Sequence, residues 1–233
     1  MRPVIIIPAR LVSTRFPEKM LHKLDGVPLI KRVYDACEDM DIPTYVLTDS
    51  MKVAQASGAA ALLTPECESG TDRCCYWANT NALATKYDVV VNVQGDLPDI
   101  RKEHVEAVLE GLTTDRVSTI YADIDDSDRD NPSFVKVVHN KKRAKWFGRG
   151  ITGYGHHHIG VYGYHMNELR QYRNLKKFEC EDLEKLEQLR WIMNGVDIGI
   201  RKVKYHGCEI NTPEDAIRWN VERENPLVKM TRY

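Results

Sequence analysis

The sequence has little net charge. Its 233 residues include 33 Lys and Arg against 34 Asp and Glu, which gives a formal net charge of −1. A near-neutral chain has no overall electrostatic field that would attract nucleic acid or an anionic membrane surface. We therefore expect no nucleic-acid partner, and any site for an anionic ligand has to be built locally.

Long apolar runs are also missing. The N-terminal segment MRPVIIIPAR has only four consecutive apolar residues before Pro8, too few for the apolar region of a signal peptide or for a membrane span. With 42% apolar and 8% aromatic residues, the chain can still bury an ordinary core. These features predict a cytoplasmic globular protein with no membrane partner.

Paired spacing of metal-binding or disulfide-forming residues is absent. The cysteines are scattered, at Cys37, Cys67, Cys74, Cys75, Cys180 and Cys208. Adjacent cysteines point to different sides of a helix or strand and suit neither a disulfide nor a zinc site. The run His156 to His158 alternates sides in an extended chain, so the three rings cannot all ligate one ion. We expect reduced, mostly buried thiols and no metal site built on the three histidines.

Strand-like runs alternate with helical patterns over the first half of the chain. The strand-like runs are PVIIIPA, TYVLTD, ALLTP and DVVVNVQ, and the helical patterns are LIKRVYDACEDM, MKVAQASGAA, Thr71–Thr85 and Lys102–Leu112. Continuous Val and Ile runs are typical of strands covered on both faces, and their alternation with helices favours a mostly parallel sheet. This pattern predicts a three-layer α/β fold.

The pattern changes from about Arg116. The runs VSTIYADI, SFVKVVHN, RAKWFGR and HHIGVYGYH, with HNKKR as a turn, predict a small mixed β extension. A long helix over Glu181–Asn194 with Gly195 as its stop follows, then a strand in DIGIRKVKY and a last helix N-capped by Thr212. No repeat, low-complexity stretch or linker is visible, so we expect a single domain over residues 1–233.

A basic turn, PARLVSTR, follows the first strand. Ligands of open α/β sheets bind at the carboxyl ends of strands, and Arg10, Arg15 and Lys19 there, as exposed loop cations, would neutralise a triphosphate and a pyrophosphate leaving group. The alternative is a solvated basic loop. Pro8 and Pro17 bracket the turn and stiffen it, which favours the binding interpretation.

Two further turns carry candidate residues. VVVNVQGDLP ends a strand at Asp96, just after Gly95, which would let a ligand approach the backbone. Asp96 is either a ligand of Mg²⁺ carried by phosphates or an ordinary turn residue. In SGTDR, Thr71 and Asp72 are candidate helix caps and Arg73 is a candidate to reach into the cleft.

Seven ordered motifs carry a resemblance over residues 4 to about 220. They are PARLVSTRFPEKML, ESGTDR, VNVQGDLP, NPSFVKVV, HIGVYGY, LEKLEQLR and NTPEDA. In this order and spacing the sequence resembles the 3-deoxy-manno-octulosonate (Kdo) cytidylyltransferases. The resemblance implies a nucleotide-diphospho-sugar transferase-like, Rossmann-like fold and a homodimer. It also implies the synthesis of CMP-Kdo from CTP and Kdo with Mg²⁺, for lipopolysaccharide.

The resemblance also implies roles for individual residues. The CTP-binding residues would be Arg10, Ser13, Arg15, Lys19, Arg73 and Gln94, and the catalytic ones Arg10, Arg15, Lys19 and Asp96. The sugar-acid site would consist of Gln94, Arg149, His158, Tyr162, Glu187 and Gln188, and the metal ligands would be Asp96 and Asn211. The anomeric hydroxyl would attack the α-phosphorus of CTP in line, without a covalent enzyme intermediate, and the base is either a carboxylate or a metal-bound hydroxide.

Three departures from the family pattern leave the substrate open. Asn211 stands where the family usually has Asp, which removes one charge from the metal site unless Glu209 compensates. Leu97 replaces a Glu, and GITGYGHH after Arg149 implies a shorter flap. The alternatives are an enzyme for a different acid, such as amino-Kdo or a nonulosonic acid, and a catalytically weak nucleotide-binding paralogue.

Overall fold

The structure is a computed structural model that describes residues 1–58 and 60–224. The strands are β1 Pro3–Ala9, β2 Lys23–Leu24, β3 Val27–Pro28, β4 Thr44–Thr48, β5 Ala61–Leu63, β6 Val89–Val93, β7 Val117–Ala122, β8 Lys136–His139, β9 Ala144–Gly148, β10 His156–His165 and β11 Ile198–Lys202. The α-helices are α1 Leu29–Glu38, α2 Met51–Ser57, α3 Gly70–Thr80, α4 Lys102–Gly111, α5 Met166–Gln171, α6 Glu179–Glu184, α7 Leu189–Met193 and α8 Pro213–Glu224. Short 3₁₀ helices span Lys19–Leu21, Ala82–Lys86 and Tyr172–Asn174.

Within the described ranges, nine strands form one sheet. The strand order along its main path is β11-β7-β10-β6-β1-β4-β5, and β8 pairs with both β10 and β9. Strands β6, β1, β4 and β5 are parallel neighbours, as are β7 and β11. Strand β10 is antiparallel to β6, β7 and β8. Strands β7 and β10, which were predicted to belong to a small mixed extension, lie within the main path of the sheet, and only β8 and β9 extend from it. The mostly parallel α/β architecture is therefore confirmed.

The sheet is covered on both faces, as its apolar strands predict. Along β1, Ile5 and Ile7 belong to one buried cluster, whereas Val4 and Ile6 belong to the other. Successive strand side chains point to opposite faces, so each cluster fills the space between the sheet and one layer of helices. The first cluster contains residues of α1, α4 and α8, and the second contains residues of α3, α5 and α7.

Two predicted helices differ from the structure. The helix predicted over Thr71–Thr85 ends at Thr80, and a separate 3₁₀ helix covers Ala82–Lys86. The helix predicted over Glu181–Asn194 is wrong as a single element, because α6 ends in Lys185, whose φ of 56° is left-handed. Helix α7 starts only at Leu189, so the intervening residues are free to turn towards the interior.

One supersecondary element was missed by the sequence reasoning. Strands β2 and β3 form a small hairpin around Asp25 and Gly26, whose φ values are 48° and 78°. An Asp-Gly pair with two positive φ angles is the preferred two-residue hairpin connection. The dipeptide was visible in HKLDGVPL and was the available signal.

The cysteines and the helices bear on two expectations from the composition. All six cysteines are free, and Cys37, Cys67, Cys74 and Cys75 are buried. Burial raises the pKa of the Cys37 and Cys74 thiols, which keeps them protonated and unreactive. Over residues 1–58 and 60–224, no helix has both the length and the apolar character needed to cross a membrane.

Candidate active site

A cavity of about 490 Å³ lies at the carboxyl ends of β1 and β6. It is lined by the segment after β1, the turn after β6, part of β10 and the chain from α6 to Gln188. Every candidate residue takes part in its lining: Arg10, Ser13, Arg15, Lys19, Arg73, Gln94, Asp96, Arg149, His158, Tyr162, Glu187, Gln188 and Asn211. The fold therefore brings residues from both ends of the chain into one cleft.

The three cations of the basic turn have different surroundings. Arg10 and Arg15 are exposed, whereas Lys19 is only 8% exposed and opens a 3₁₀ helix. Lys19 Nζ donates to Asp96 Oδ2 at 2.7 Å, and Arg15 Nη2 donates to Asn211 Oδ1 at 3.1 Å. The expectation of three exposed loop cations is thus wrong for Lys19, because Asp96 draws its ammonium group into the cleft.

Arg73 lies at the edge of the cleft in a cage of acceptors. It is 3% exposed, and its guanidinium donates to Asp49 Oδ2 at 2.7 Å, to Thr64 Oγ1 and to the Pro65 carbonyl. These contacts fix Arg73 against the ends of β4 and β5. The guanidinium is therefore held in place before any ligand arrives, and Asp49 is a cleft-supporting residue that sequence reasoning did not single out.

Ser69 caps α3, so the cap proposed for Thr71 and Asp72 is wrong. Ser69 Oγ accepts from Asp72 N at 3.1 Å. The Asp72 carboxylate accepts from the Glu68 backbone N–H at 3.1 Å beside this cap and also binds Arg173. The backbone N–H of Thr71 donates to Glu187 Oε2 at 2.8 Å. A carboxylate at a helix N-terminus satisfies an otherwise unpaired donor.

The break between α6 and α7 places Glu187 and Gln188 in the cleft. Gln94 Nε2 donates to Glu187 Oε1 at 3.3 Å, so Glu187 orients Gln94 across the cavity. Burial raises the pKa of Glu187, while its hydrogen bonds act in the opposite direction. Gln188 is 2% exposed, and its Nε2 has no hydrogen-bond partner among the described residues. A buried unpaired donor that lines a cavity is suited to an acceptor on a ligand.

Arg149 reaches the cleft from the end of β9. Its Nη1 donates to the carbonyls of Ser133 and Pro132, and its backbone N–H donates to Glu184 Oε2 at 2.8 Å. Its carbonyl accepts from Nζ of the fully buried Lys136 at 2.7 Å. The lysine inside the apolar run FVKVV was a signal that the sequence analysis did not use.

His158 and Tyr162 are residues of β10 that line the cleft. Burial lowers the pKa of His158 to about 3, and Coulomb interactions with His157 and Arg149 act in the same direction, so the ring is neutral at physiological pH. His158 Nε2 lies 2.9 Å from Thr119 Oγ1. Tyr162 packs beside it, with ring centroids 5.3 Å apart, and burial raises the pKa of its phenol well above the usual range. Both rings are uncharged, rigid walls.

Oxygen atoms suited to a hard cation gather around Asp96. Glu209 and Asn211 line the same cavity, and the Ile210 backbone N–H donates to the Asp96 carbonyl at 3.0 Å. Burial and the charge of Asp96 raise the pKa of Glu209 to about 7. In the described part of the chain, no three or more His, Cys, Asp or Glu side chains are arranged to hold an ion alone. The donor set therefore fits Mg²⁺ only together with oxygens from a ligand.

Comparison with known proteins places this cleft in a family. The sequence profile of the family described as Cytidylyltransferase matches residues 4–198. Proteins called 3-deoxy-manno-octulosonate cytidylyltransferase are similar throughout: that of Bartonella bacilliformis is 34% identical, covering 92% of this chain and 96% of its own. That of Phocaeicola vulgatus is 37% identical, covering 94% and 96%. The chain belongs to the 3-deoxy-manno-octulosonate cytidylyltransferase family.

Solved structures agree with this assignment. A CMP:2-keto-3-deoxy-manno-octonic acid synthetase solved in complex with CTP superposes with a TM-score of 0.86 at 31% identity, covering 97% of this chain and all of the other. A 4-diphosphocytidyl-2C-methyl-D-erythritol synthase from Anaerococcus prevotii, at 11% identity and a TM-score of 0.65, shares the fold over 96% of this chain and 98% of its own. The predicted nucleotide-diphospho-sugar transferase-like fold is confirmed.

The two sequence neighbours of Asp96 have different surroundings in this cytidylyltransferase family member. Leu97 is fully buried in the first cluster and is not among the residues that line the cavity. A Cβ on Gly95 would lie 3.1 Å from Met20 Sδ and 3.3 Å from the Pro8 carbonyl. Close packing therefore requires glycine there, in addition to its place in the cleft lining.

The segment after Arg149 stays outside the cavity. Residues 150–155 do not line it, and the Gly153 N–H is tied to Asp130 Oδ1 at 2.7 Å. The Tyr154 ring is 58% exposed. The segment expected to form a short flap therefore does not contribute to the lining of this cavity.

Proposed function

We propose that this protein is a cytidylyltransferase that couples CTP to Kdo, giving CMP-Kdo and pyrophosphate. One observation carries the proposal: a basic turn suited to a triphosphate and a set of buried polar side chains suited to a sugar acid line the same cleft. The relatives named for this reaction match over nearly their whole length, and the synthetase solved with CTP has the same fold.

The nucleotide end of the cleft neutralises charge. Arg10 and Arg15 are exposed at its mouth, and Lys19 is held 2.7 Å from Asp96. In this proposal the three cations bind the triphosphate and stabilise the negative charge that builds up on the departing pyrophosphate. Arg73 is held beside them by Asp49 and Thr64, and with Gln94 it borders the nucleoside and sugar-acid pockets.

The residues at the sugar-acid end of the cleft would hold and orient the sugar acid. Arg149 offers a cation to the carboxylate of the acid, and the unpaired Nε2 of Gln188 offers a donor to a hydroxyl. Glu187 fixes Gln94, and neutral His158 and Tyr162 form the wall. The anomeric oxygen then forms a bond to the α-phosphorus of CTP. At the same time the bond from that phosphorus to the oxygen that bridges the α- and β-phosphates breaks. The hydroxyl proton is released, and pyrophosphate leaves with the bonding electrons.

Asp96 is the residue of this chain that would hold Mg²⁺, with a second oxygen donor from either Glu209 or Asn211. When bound, Mg²⁺ supplies further neutralisation of the phosphate charge. The residues fit the ion because they offer oxygen donors and because two carboxylates, Asp96 and Glu209, converge.

The assembly and location are also part of the proposal. Ile217 and Val221, one helical turn apart on α8, are 64% and 47% exposed, which favours a homodimer contact on this helix. Free thiols throughout are in keeping with a reducing cytoplasm. Light scattering that gives a monomer mass would contradict the dimer.

Pyrophosphate release tests the function. We expect release that requires CTP, a divalent cation and Kdo, and a much lower kcat/KM with amino-Kdo or a nonulosonic acid. Faster turnover with one of those acids would replace the substrate but keep the enzyme class. CTP binding without turnover of any acid would identify a nucleotide-binding paralogue instead.

A further inference from the structure

The segment from Glu209 to Asn211 is anchored directly on Asp96. The Ile210 N–H donates to the Asp96 carbonyl at 3.0 Å, and the Ile210 side chain is fully buried in the first cluster. The residues on either side, Glu209 and Asn211, both line the cleft. Asp96 lines the same cavity, so a carboxylate at position 209 or 211 faces the space that Asp96 faces.

The two ends of the Asn211 amide are already in use. Its Oδ1 accepts from Arg15 Nη2 at 3.1 Å, and its Nδ2 approaches Glu209 Oε2 at 3.4 Å. An amide can accept at one end and donate at the other, whereas a carboxylate can only accept. Asn211 therefore links a cation of the basic turn to Glu209, and its oxygen faces a guanidinium.

The carboxylate of Glu209 accepts one side-chain hydrogen bond among the described residues, from Asn211 to Oε2. Its side chain is 21% exposed, and Oε1 lies 3.9 Å from His157 Nε2, beyond hydrogen-bond distance. His157 is 6% exposed, and this Nε2 has no hydrogen-bond partner among the described residues. Asp96 lines the same cavity as Glu209. A cation between two carboxylates of one cavity relieves the repulsion between them.

We propose that Glu209 is the second carboxylate that binds the divalent cation together with Asp96, and that Asn211 acts as a positioning residue between Glu209 and Arg15. The inference rests on the proposed function, because the ion arrives with the phosphates of CTP. Fewer than three protein carboxylates are then needed, in agreement with the described side chains.

Manganese binding in the presence of CTP tests this without turnover. Free Mn²⁺ is measured by electron paramagnetic resonance at about pH 8, above the pKa of Glu209, with saturating CTP and no sugar acid. We expect Glu209→Gln to weaken Mn²⁺ binding about tenfold or more. The double variant Glu209→Gln with Asn211→Asp should recover to within about threefold of the unsubstituted protein, since it returns a carboxylate to the lining of the same cavity. Glu106→Gln, which removes an exposed carboxylate from α4, is the matched control and should change nothing.

Each result decides the proposal. Unchanged Mn²⁺ affinity in Glu209→Gln, or no recovery in the double variant, would overturn it. Thermal melting checks that Glu209→Gln is folded. If Glu209→Gln is not folded, Glu209→Asp is measured in its place, because it keeps the carboxylate charge but shortens the side chain. We expect Glu209→Asp to bind Mn²⁺ at least about threefold more weakly. Unaltered Mn²⁺ binding by Glu209→Asp would again overturn the proposal. Failure of the unsubstituted protein to release pyrophosphate with any acid would refute the proposed function instead. An active protein whose Glu209→Gln variant binds Mn²⁺ normally would refute only the Glu209 assignment.

Discussion

At the residue scale, Arg15 and Lys19 carry the same charge into the cleft from different surroundings. Arg15 is exposed, so Arg15→Ala should change the free energy of unfolding by less than about 1 kcal/mol. Lys19→Met leaves the partly buried Asp96 without its partner and should cost about 1–3 kcal/mol. Both should lower kcat/KM for pyrophosphate release about 100-fold or more, because each removes a cation from the leaving group.

Pyrophosphate release and urea unfolding measure the two effects. Lys23→Ala, at an exposed lysine of β2, is the control for loss of surface charge. Unchanged kcat/KM in Arg15→Ala would rule out the phosphate-binding role of the turn.

His158 makes stability depend on pH. Its pKa falls from 6.5 to about 3 because the ring is buried, so between these values the unfolded chain binds more protons than the folded one. Stability contributed by the neutral ring is therefore fully present above pH 6.5 and is lost as pH falls towards 3.

Replacement by Asn should flatten this dependence. Between about pH 4 and 6, His158→Asn should reduce the slope of unfolding free energy against pH by up to about 1.4 kcal/mol per unit. Urea unfolding at several pH values measures the slope. An identical slope in both proteins would show that His158 is protonated in the folded state.

At the element scale, Lys136 in β8 joins two segments that flank the cleft. Its Nζ donates to the carbonyls of Asn131 and Arg149 at 3.1 and 2.7 Å, and it is fully buried. Lys136→Met should leave the Arg149 carbonyl unpaired, whereas the Asn131 carbonyl keeps the Phe134 N–H as a donor. We expect a cost of about 1–3 kcal/mol. Because Arg149 then loses its support, KM for the sugar acid should rise about tenfold with a smaller change in KM for CTP.

The neighbouring strand provides a matched control. Lys145→Met replaces an exposed lysine of β9 and should alter neither KM. Equal increases in both KM values in Lys136→Met would indicate general loosening instead of a specific effect on Arg149.

The elements show what could be predicted from the sequence. The apolar runs of β1 and β6 identified buried strands, because burial on both faces leaves no polar alternation. The interruption at Lys185 was not predictable from periodicity. Leu183 and Leu186 continue the helical spacing, yet Leu183 is 73% exposed and Leu186 is 5% exposed. Tertiary contacts of Glu187 with α3, over 100 residues away, decide the break.

The sequence allowed a prediction of which residues line the cleft, but not of which side chains contact one another there. Motif resemblance identified the cleft residues because strand-end turns gather at one edge of the sheet. Lys19 and Asp96 are separated by 77 positions in the sequence, and Arg15 and Asn211 are separated by 196 positions. No local pattern encodes such distances.

At the scale of the whole molecule, two apolar clusters share one sheet. Trp219 belongs to the first cluster, and Trp77 and Trp191 belong to the second. Strands such as β1 contribute to both clusters, so neither can unfold without exposing the other. We therefore propose a single domain over residues 1–233 and expect urea unfolding curves from far-UV circular dichroism and tryptophan fluorescence to coincide. Two separated transitions would contradict this.

The central position of β10 has a consequence for synthesis on the ribosome. Strands β6 and β7 lie on either side of β10 in the sheet, although β10 is made last of the three. Until residue 165 has emerged, the facing edges of β6 and β7 have no strand between them, and unpaired edges recruit other chains. A nascent chain that stalls before His156 therefore exposes two unpaired strand edges, which favour aggregation and binding to chaperones. The sheet becomes continuous across this gap only when β10 inserts.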